Sequence, residues 1–220
     1  MKKLLFWMVL IVGIVALIGS CAKKDEETAA TAAADNTTST TKYMSTTTTA
    51  SGSITMGDDT LSGVYASECL TSASTIAYFK ATGFWASEVN AYGQVFVVTG
   101  SDNISIELYA FTDTSCSNLS VSQKTVSDNV TFGSASGSNY PVTYNNQTQA
   151  LTVHTTAAET ALETLYSNAL DFIVGTPIEL PVSGSGLRYG LWTLSGTTWY
   201  EASSSSATPT SAGTVPHVKQ

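Results

Sequence analysis

Apolar and polar positions alternate through Ile104, Ile106, Leu108 and Ala110, with Ser105, Glu107 and Tyr109 between them. A period of two predicts a half-buried strand. Residues 94–99 form a denser run holding Val95, Phe96, Val97 and Val98, and residues 61–69 alternate more loosely. Residues 187–194 and 197–202 flank Ser195-Gly196, and residues 142–144 and 151–153 flank Asn145-Asn146-Gln147, so each set reads as a hairpin. Further strand signals fall at 76–80, 84–91, 119–126 and 130–132. About eight to ten short strands at this spacing predict a mainly β chain, an antiparallel barrel or sandwich.

One segment follows a different period. Thr156 and Glu159 match a capping box, and Ala158, Leu162, Leu165, Tyr166, Ala169, Leu170 and Ile173 recur at helical spacing before Gly175 and Pro177. This predicts one α-helix over about 156–173, packed across the sheet or into the barrel's open end.

The ends read differently from the middle. Residues 22–56 are rich in Thr, Ala and Ser and hold few apolar residues, so they bury too little surface to offset the entropy of ordering. They read as a disordered linker, residues 57–204 as the β domain, and 205–220 as a flexible tail. At the start, Lys2 and Lys3 precede an apolar run over 4–18 that closes on Ile18-Gly19-Ser20-Cys21. A basic start, a short apolar core and small residues have the layout of a secretory signal over residues 1–20. The run is shorter than the roughly 20 residues that span a bilayer, which argues against an uncleaved anchor. Small residues followed by cysteine resemble the lipobox of bacterial lipoproteins. The resemblance implies that Cys21 carries a lipid and that the mature chain is held at a membrane of the cell envelope. Ala22 after the cysteine resembles outer-membrane sorting.

Charge narrows the function classes. Charged residues are 12% of the chain and the net charge is −8. From residue 57 to 204 the basic residues are Lys80, Lys124 and Arg188, against thirteen acidic ones. Such a domain is repelled by phosphate backbones, which excludes nucleic acid as a partner. With Cys21 taken by lipid, Cys69 and Cys116 remain as an even pair in an oxidising compartment, which predicts a disulfide; two free buried thiols are the alternative.

Gly63-Val64-Tyr65 with Ser67 and Cys69, and Tyr109 with Asp113-Thr114-Ser115-Cys116, carry a further likeness. The arrangement resembles small exported bacterial lipoproteins with a lipocalin-like (calycin) barrel. In lipocalins the opening motif is Gly-x-Trp, and a basic residue from a late strand covers that ring at the closed end. Tyr65 stands where the motif has Trp, and the resemblance assigns the basic role to Arg188, the chain's one arginine. Gly63, Tyr65 and Arg188 are thus the expected closed-end contacts.

No catalytic residues, metal site or cofactor are expected. His154 and His217 are the only histidines; the first closes a strand and the second lies in the tail. Ser185 sits between two glycines without the strand–turn–helix context of a nucleophile, and Glu159 and Glu163 belong to one helix face. The aromatic residues Trp85, Tyr109, Trp192 and Trp199 are the remaining handle, either as core or as the lining of a pocket. The expected function is binding of a small apolar or amphipathic ligand inside a membrane-anchored barrel. The alternative is a filled barrel serving as a structural module or docking to an envelope protein or glycan.

Overall fold

A computed structural model describes residues 42–182 and 186–220. Cys21, its leader and Ser185 lie outside the described residues. The strands are β1 (Ile54–Met56), β2 (Asp59–Leu61), β3 (Val64–Ala66), β4 (Ala91–Val98), β5 (Ile104–Phe111), β6 (Leu119–Phe132), β7 (Asn139–Val153), β8 (Pro177–Leu180), β9 (Leu187–Ser195), β10 (Thr198–Ser204) and β11 (Pro216–Lys219). Helix α1 (Ala73–Ala81) follows β3 and helix α2 (Thr156–Leu165) follows β7.

Strands β3, β4, β5, β6, β7, β9, β10 and β11 pair in that order, all antiparallel, and β11 returns to β3. The result is a closed eight-stranded antiparallel barrel, compatible with a lipocalin-like fold. Each barrel strand neighbours the next barrel strand in the chain, so short connections suffice. Strand β8 adds to β7 outside this circuit, pairing Gln149 with Leu180.

Side-chain alternation builds two apolar clusters, one at each end of the lumen. At the helical end, Tyr92, Ala110, Val121, Leu151 and Val153 meet Ile76 and Phe79 of α1, Ala158 and Leu162 of α2, and Trp85. At the other end, Phe96, Ile104, Val130, Val142, Trp192 and Trp199 meet Ile54, Met56 and Leu61 from the β1–β2 hairpin. Strands β6 and β7 reach both clusters because their register shifts at Val126/Ser127 and again between Asp128 and Thr131. Such bulges bend a strand and let one long pair wrap the barrel.

Several expectations are revised by this packing. The tail is not loose: residues 216–219 form β11, the strand that closes the barrel, and His217 is buried. Its low apolar content hid it, because β11 satisfies main-chain groups more than it fills the core. The domain also begins before residue 57. Residues 43–51 run as a strap over the outer face of β4, with Met44 N–H bonded to the Ser67 carbonyl (3.0 Å) and Ser51 N–H to the Val98 carbonyl (2.9 Å). Met44 packs over Gly93, where a Cβ would come within 2.3 Å of its side chain. Every position of β4 is buried, so its outer row of Ala91, Val95 and Val97 needs this cover.

Asn145-Asn146-Gln147 is not a turn but the middle of a continuous β7, and the Ser127 hydroxyl donates to Asn146 Oδ1 (2.8 Å). A cross-strand partner there replaces the local bond by which Asn favours turns. Residues 76–80 are helical rather than extended, since Ile76 and Phe79, three apart, bury one face of α1. Helix α2 stops at Leu165, short of 173, because Ser167 and Asn168 take left-handed φ of 55°. Its cap is Thr155, whose Oγ1 accepts from Ala158 N–H (3.1 Å). The hairpin at Ser195-Gly196 forms as expected between β9 and β10.

Cys69 and Cys116 are joined, with Cα atoms 5.8 Å apart across a separation of 47 residues. In the chain-entropy account a loop of this length stabilises the fold by about 4 kcal/mol. Ending the chain at Ser204 removes β11 and leaves β3 and β10 with free edges. That truncation should abolish the cooperative thermal transition in circular dichroism, and a melt matching the full chain would show that closure is dispensable.

Candidate functional site: the polar belt of the barrel lumen

Between the two apolar ends the inward positions turn polar. On β4, Gln94 lies between inward Tyr92 and Phe96; on β6, Gln123, Thr125 and Ser127 lie between Val121 and Val130. On the opposite wall, β9 brings Arg188 and β10 brings Glu201 and Ser203, alternating with Trp192 and Trp199. Cross-strand register joins these positions. Gln94 faces Leu108, Leu108 faces Gln123, Tyr144 faces Arg188, Gly190 faces Ser203, and Trp192 faces Glu201.

The belt is only partly satisfied by the protein. Gln123 Nε2 donates to Thr125 Oγ1 (3.2 Å), and Gln94 N–H donates to Ser67 Oγ (2.9 Å). His217 places Nδ1 3.3 Å from the Trp199 carbonyl and Nε2 3.3 Å from the Gln94 amide. Burial pushes its pKa down to about 4, against a smaller opposing effect of the Trp199 carbonyl. A neutral ring that donates from Nδ1 must accept at Nε2, which assigns the Gln94 amide with its nitrogen toward the ring. In contrast, Trp192 Nε1 and Trp199 Nε1 are buried without hydrogen-bond partners, as are Trp85 Nε1 and the Tyr166 hydroxyl at the helical end, whereas the Ser203 hydroxyl lies against the Glu201 carboxyl and the Tyr144 hydroxyl. Leaving such groups unpaired costs about 1–3 kcal/mol each.

The belt is not packed uniformly. Ile106 and Leu108 point inward with the apolar clusters yet keep part of their surface accessible, while outward Ser105 and Glu107 are buried under the strap. At Gly190 the wall is closely packed instead: a Cβ there would lie 2.5 Å from Val142 and 2.9 Å from Trp192 Nε1.

Charge in the belt is unusual. Burial pushes the Glu201 carboxyl up to about 7, with the neighbouring Ser203 hydroxyl pulling the other way. Burial raises the Tyr144 hydroxyl far above its ordinary value, with Glu201 adding to that shift and the Ser203 hydroxyl and Arg188 opposing it. Tyr144 therefore stands electrostatically between the acidic and the basic group. Burial also lowers the Arg188 pKa, and the guanidinium donates to the Leu187 carbonyl (3.1 Å).

The expected site residues separate. Gly63 and Tyr65 lie at the hairpin end, where the Tyr65 ring meets Trp199 edge-on with centroids 5.5 Å apart. Its cation is not Arg188 but Lys219, whose Nζ is 6.0 Å from the ring centroid. The register explains this: Tyr65 pairs with β4 and β11, whereas Arg188 sits opposite Tyr144. Trp85, Trp192 and Trp199 are 2, 0 and 0% exposed and belong to the packed ends, although all three turn Nε1 toward no partner. Tyr109 does not face the lumen. It lies outside with Glu107, to which it donates, and Thr48 of the strap donates to the same carboxylate. The alternation that turns Leu108 inward turns Tyr109 outward.

The belt itself went unread in the sequence, though one signal is there. Gln94 and Glu201 each occupy an apolar face of an alternating run, the first between Tyr92 and Phe96, the second two residues beyond Trp199. Outside the barrel, His154 Nε2 lies 3.0 Å from Ser122 Oγ. Activating a serine this way also needs a group orienting Nδ1, and among the described residues none hydrogen-bonds that atom. Among the described residues no three His, Cys, Asp or Glu side chains gather in a metal-binding group. Compared with known protein families and with curated proteins, the chain matches none.

Glu201 makes a pH test of this wall. Its folded pKa lies above the unfolded value, so its burial is harmless at pH 4 and costs stability as pH rises through 7. His217 acts oppositely, costing stability as pH falls from about 6.5 toward 4. Glu201→Gln should match the native chain near pH 4 and gain about 3 kcal/mol over it at pH 8. Denaturant titrations at the two pH values measure this, and an equal difference at both would contradict a buried, titrating Glu201.

Proposed function

We propose that this chain is a bacterial cell-envelope lipoprotein, anchored through a lipid on Cys21, whose lipocalin-like barrel binds a small amphipathic ligand in its lumen. The observation that carries the reading is that Ile106 and Leu108 point inward yet are only half-buried, and face a wall on which the polar side chain of Arg188 is half-buried too. A ligand with an apolar body and a polar end would satisfy both at once, as small-molecule sites commonly do.

The anchor agrees with this role. The lipobox-like Gly19-Ser20-Cys21 and the Thr-rich stretch before Lys42 would hold a carrier near a membrane, and Ala22 supports the outer membrane as its place. No catalytic step is invoked: binding and release are the activity.

Residues 22–220, exported into an oxidising periplasm, should show extra mass by native mass spectrometry that is lost on denaturation. The denatured, unreduced chain should run two hydrogens lighter than its sequence. A bare native chain would transfer the weight to the other reading, a filled barrel serving as a structural or docking module, which the packed Trp192 and Trp199 favour.

A further inference from the structure

Arg188 is the only arginine in a chain of net charge −8, and it sits on the lumen side of β9, opposite buried Tyr144. Among the described residues its one hydrogen bond is to the carbonyl of its own neighbour, Leu187. A guanidinium carries five N–H donors in a planar fork. Holding that fork partly buried with no anion beside it is costly, and the cost disappears when a carboxylate or phosphate docks.

We propose that the ligand of this lumen is an anionic amphiphile, its carboxylate or phosphate head held by Arg188 and Tyr144 and its apolar body lying along Ile106 and Leu108. The proposal rests on the reading of the barrel as a ligand carrier and names the chemistry of what it carries. Tyr144 stays protonated, so its hydroxyl is a donor to such a head. Ser203, beside Tyr144 and Glu201, adds a hydroxyl on the same wall. Glu201 is the group that would oppose an anion. Burial leaves it about half neutral at pH 7, and a neutral carboxyl donates as well. His217, on the next strand, is neutral and committed to Gln94 and the Trp199 carbonyl, so it neither attracts nor repels the head. A cationic or uncharged head would leave Arg188 as it is.

The test is a head-group series at constant chain length, read by tryptophan fluorescence on residues 22–220 at pH 7 and below micelle concentrations. Dodecanoate and dodecyl phosphate should bind at least about tenfold more tightly than dodecanol, and dodecyltrimethylammonium more weakly than all three. Arg188→Gln should bring both anions to the level of dodecanol while dodecanol itself is unchanged, and Arg188→Lys should retain part of the preference. Equal binding of anion and alcohol by the native chain overturns the proposal while leaving the carrier reading intact. So does an anion preference that survives in Arg188→Gln. Failure of every probe to bind a folded chain would bring down the carrier reading and this proposal with it.

Discussion

The hydrogen bonding of β11 to β3 is the constraint on which the barrel, and therefore the lumen, depends. An open sheet leaves a row of main-chain donors and acceptors without partners, and closure alone removes both edges. The seam is short, with Ala66 facing Val218 and Tyr65 facing Lys219. It is extended by Gln220 N–H to the Val64 carbonyl (2.9 Å) and braced by side chains that reach past it. His217 of β11 spans β3 to meet Gln94 of β4 and sets its ring against Phe96 with centroids 4.7 Å apart. Lys219 adds a bond to Ser62 (3.0 Å) beside the Tyr65 ring. A buried histidine kept neutral is thus both part of the polar belt and the clasp of the barrel.

Each wall of this barrel solves a different burial problem. The two ends are sealed by apolar groups from opposite kinds of element, helices at one and a hairpin at the other. The outer face of β4 and β5 would be apolar and wet without the strap, which covers it with Met44 and hands Thr48 to the buried Glu107. Lys124, facing Glu107 across β5 and β6, bonds the same Thr48 hydroxyl (2.8 Å). Inside, Trp192 Nε1 and Trp199 Nε1 remain without protein partners, as do Trp85 Nε1 and the Tyr166 hydroxyl at the helical end. A half-buried Arg188 on the same inner wall as Tyr144 and Glu201, facing half-buried Ile106 and Leu108, is the physical basis for reading the lumen as a site.

Local patterning determined a good part of this molecule without any tertiary knowledge. The period-two run through Ile104 and Ala110, the β9–β10 hairpin at Ser195-Gly196, the α2 helix and the Cys69–Cys116 pair are all legible, because each depends on neighbours in the chain or on cysteine parity. Mainly β and antiparallel, as a barrel or a sandwich, follow from strand spacing alone, and closure through β11 decides for the barrel. The tertiary structure decided what depends on distant partners. Residues 216–219 and 43–51 have too few apolar residues to announce themselves, and both are ordered by main-chain bonds to strands far away in sequence. Asn145-Asn146-Gln147 has the residues of a turn but lies in a strand because β6 supplies its partners. Arg188 lies opposite Tyr144 and not Tyr65 because β9 pairs with β7, whereas β3 pairs with β4 and β11. The lumen's polar belt is a property of eight strands at once. Its members are single polar residues on separate strands, and only closure of the barrel turns them toward one another.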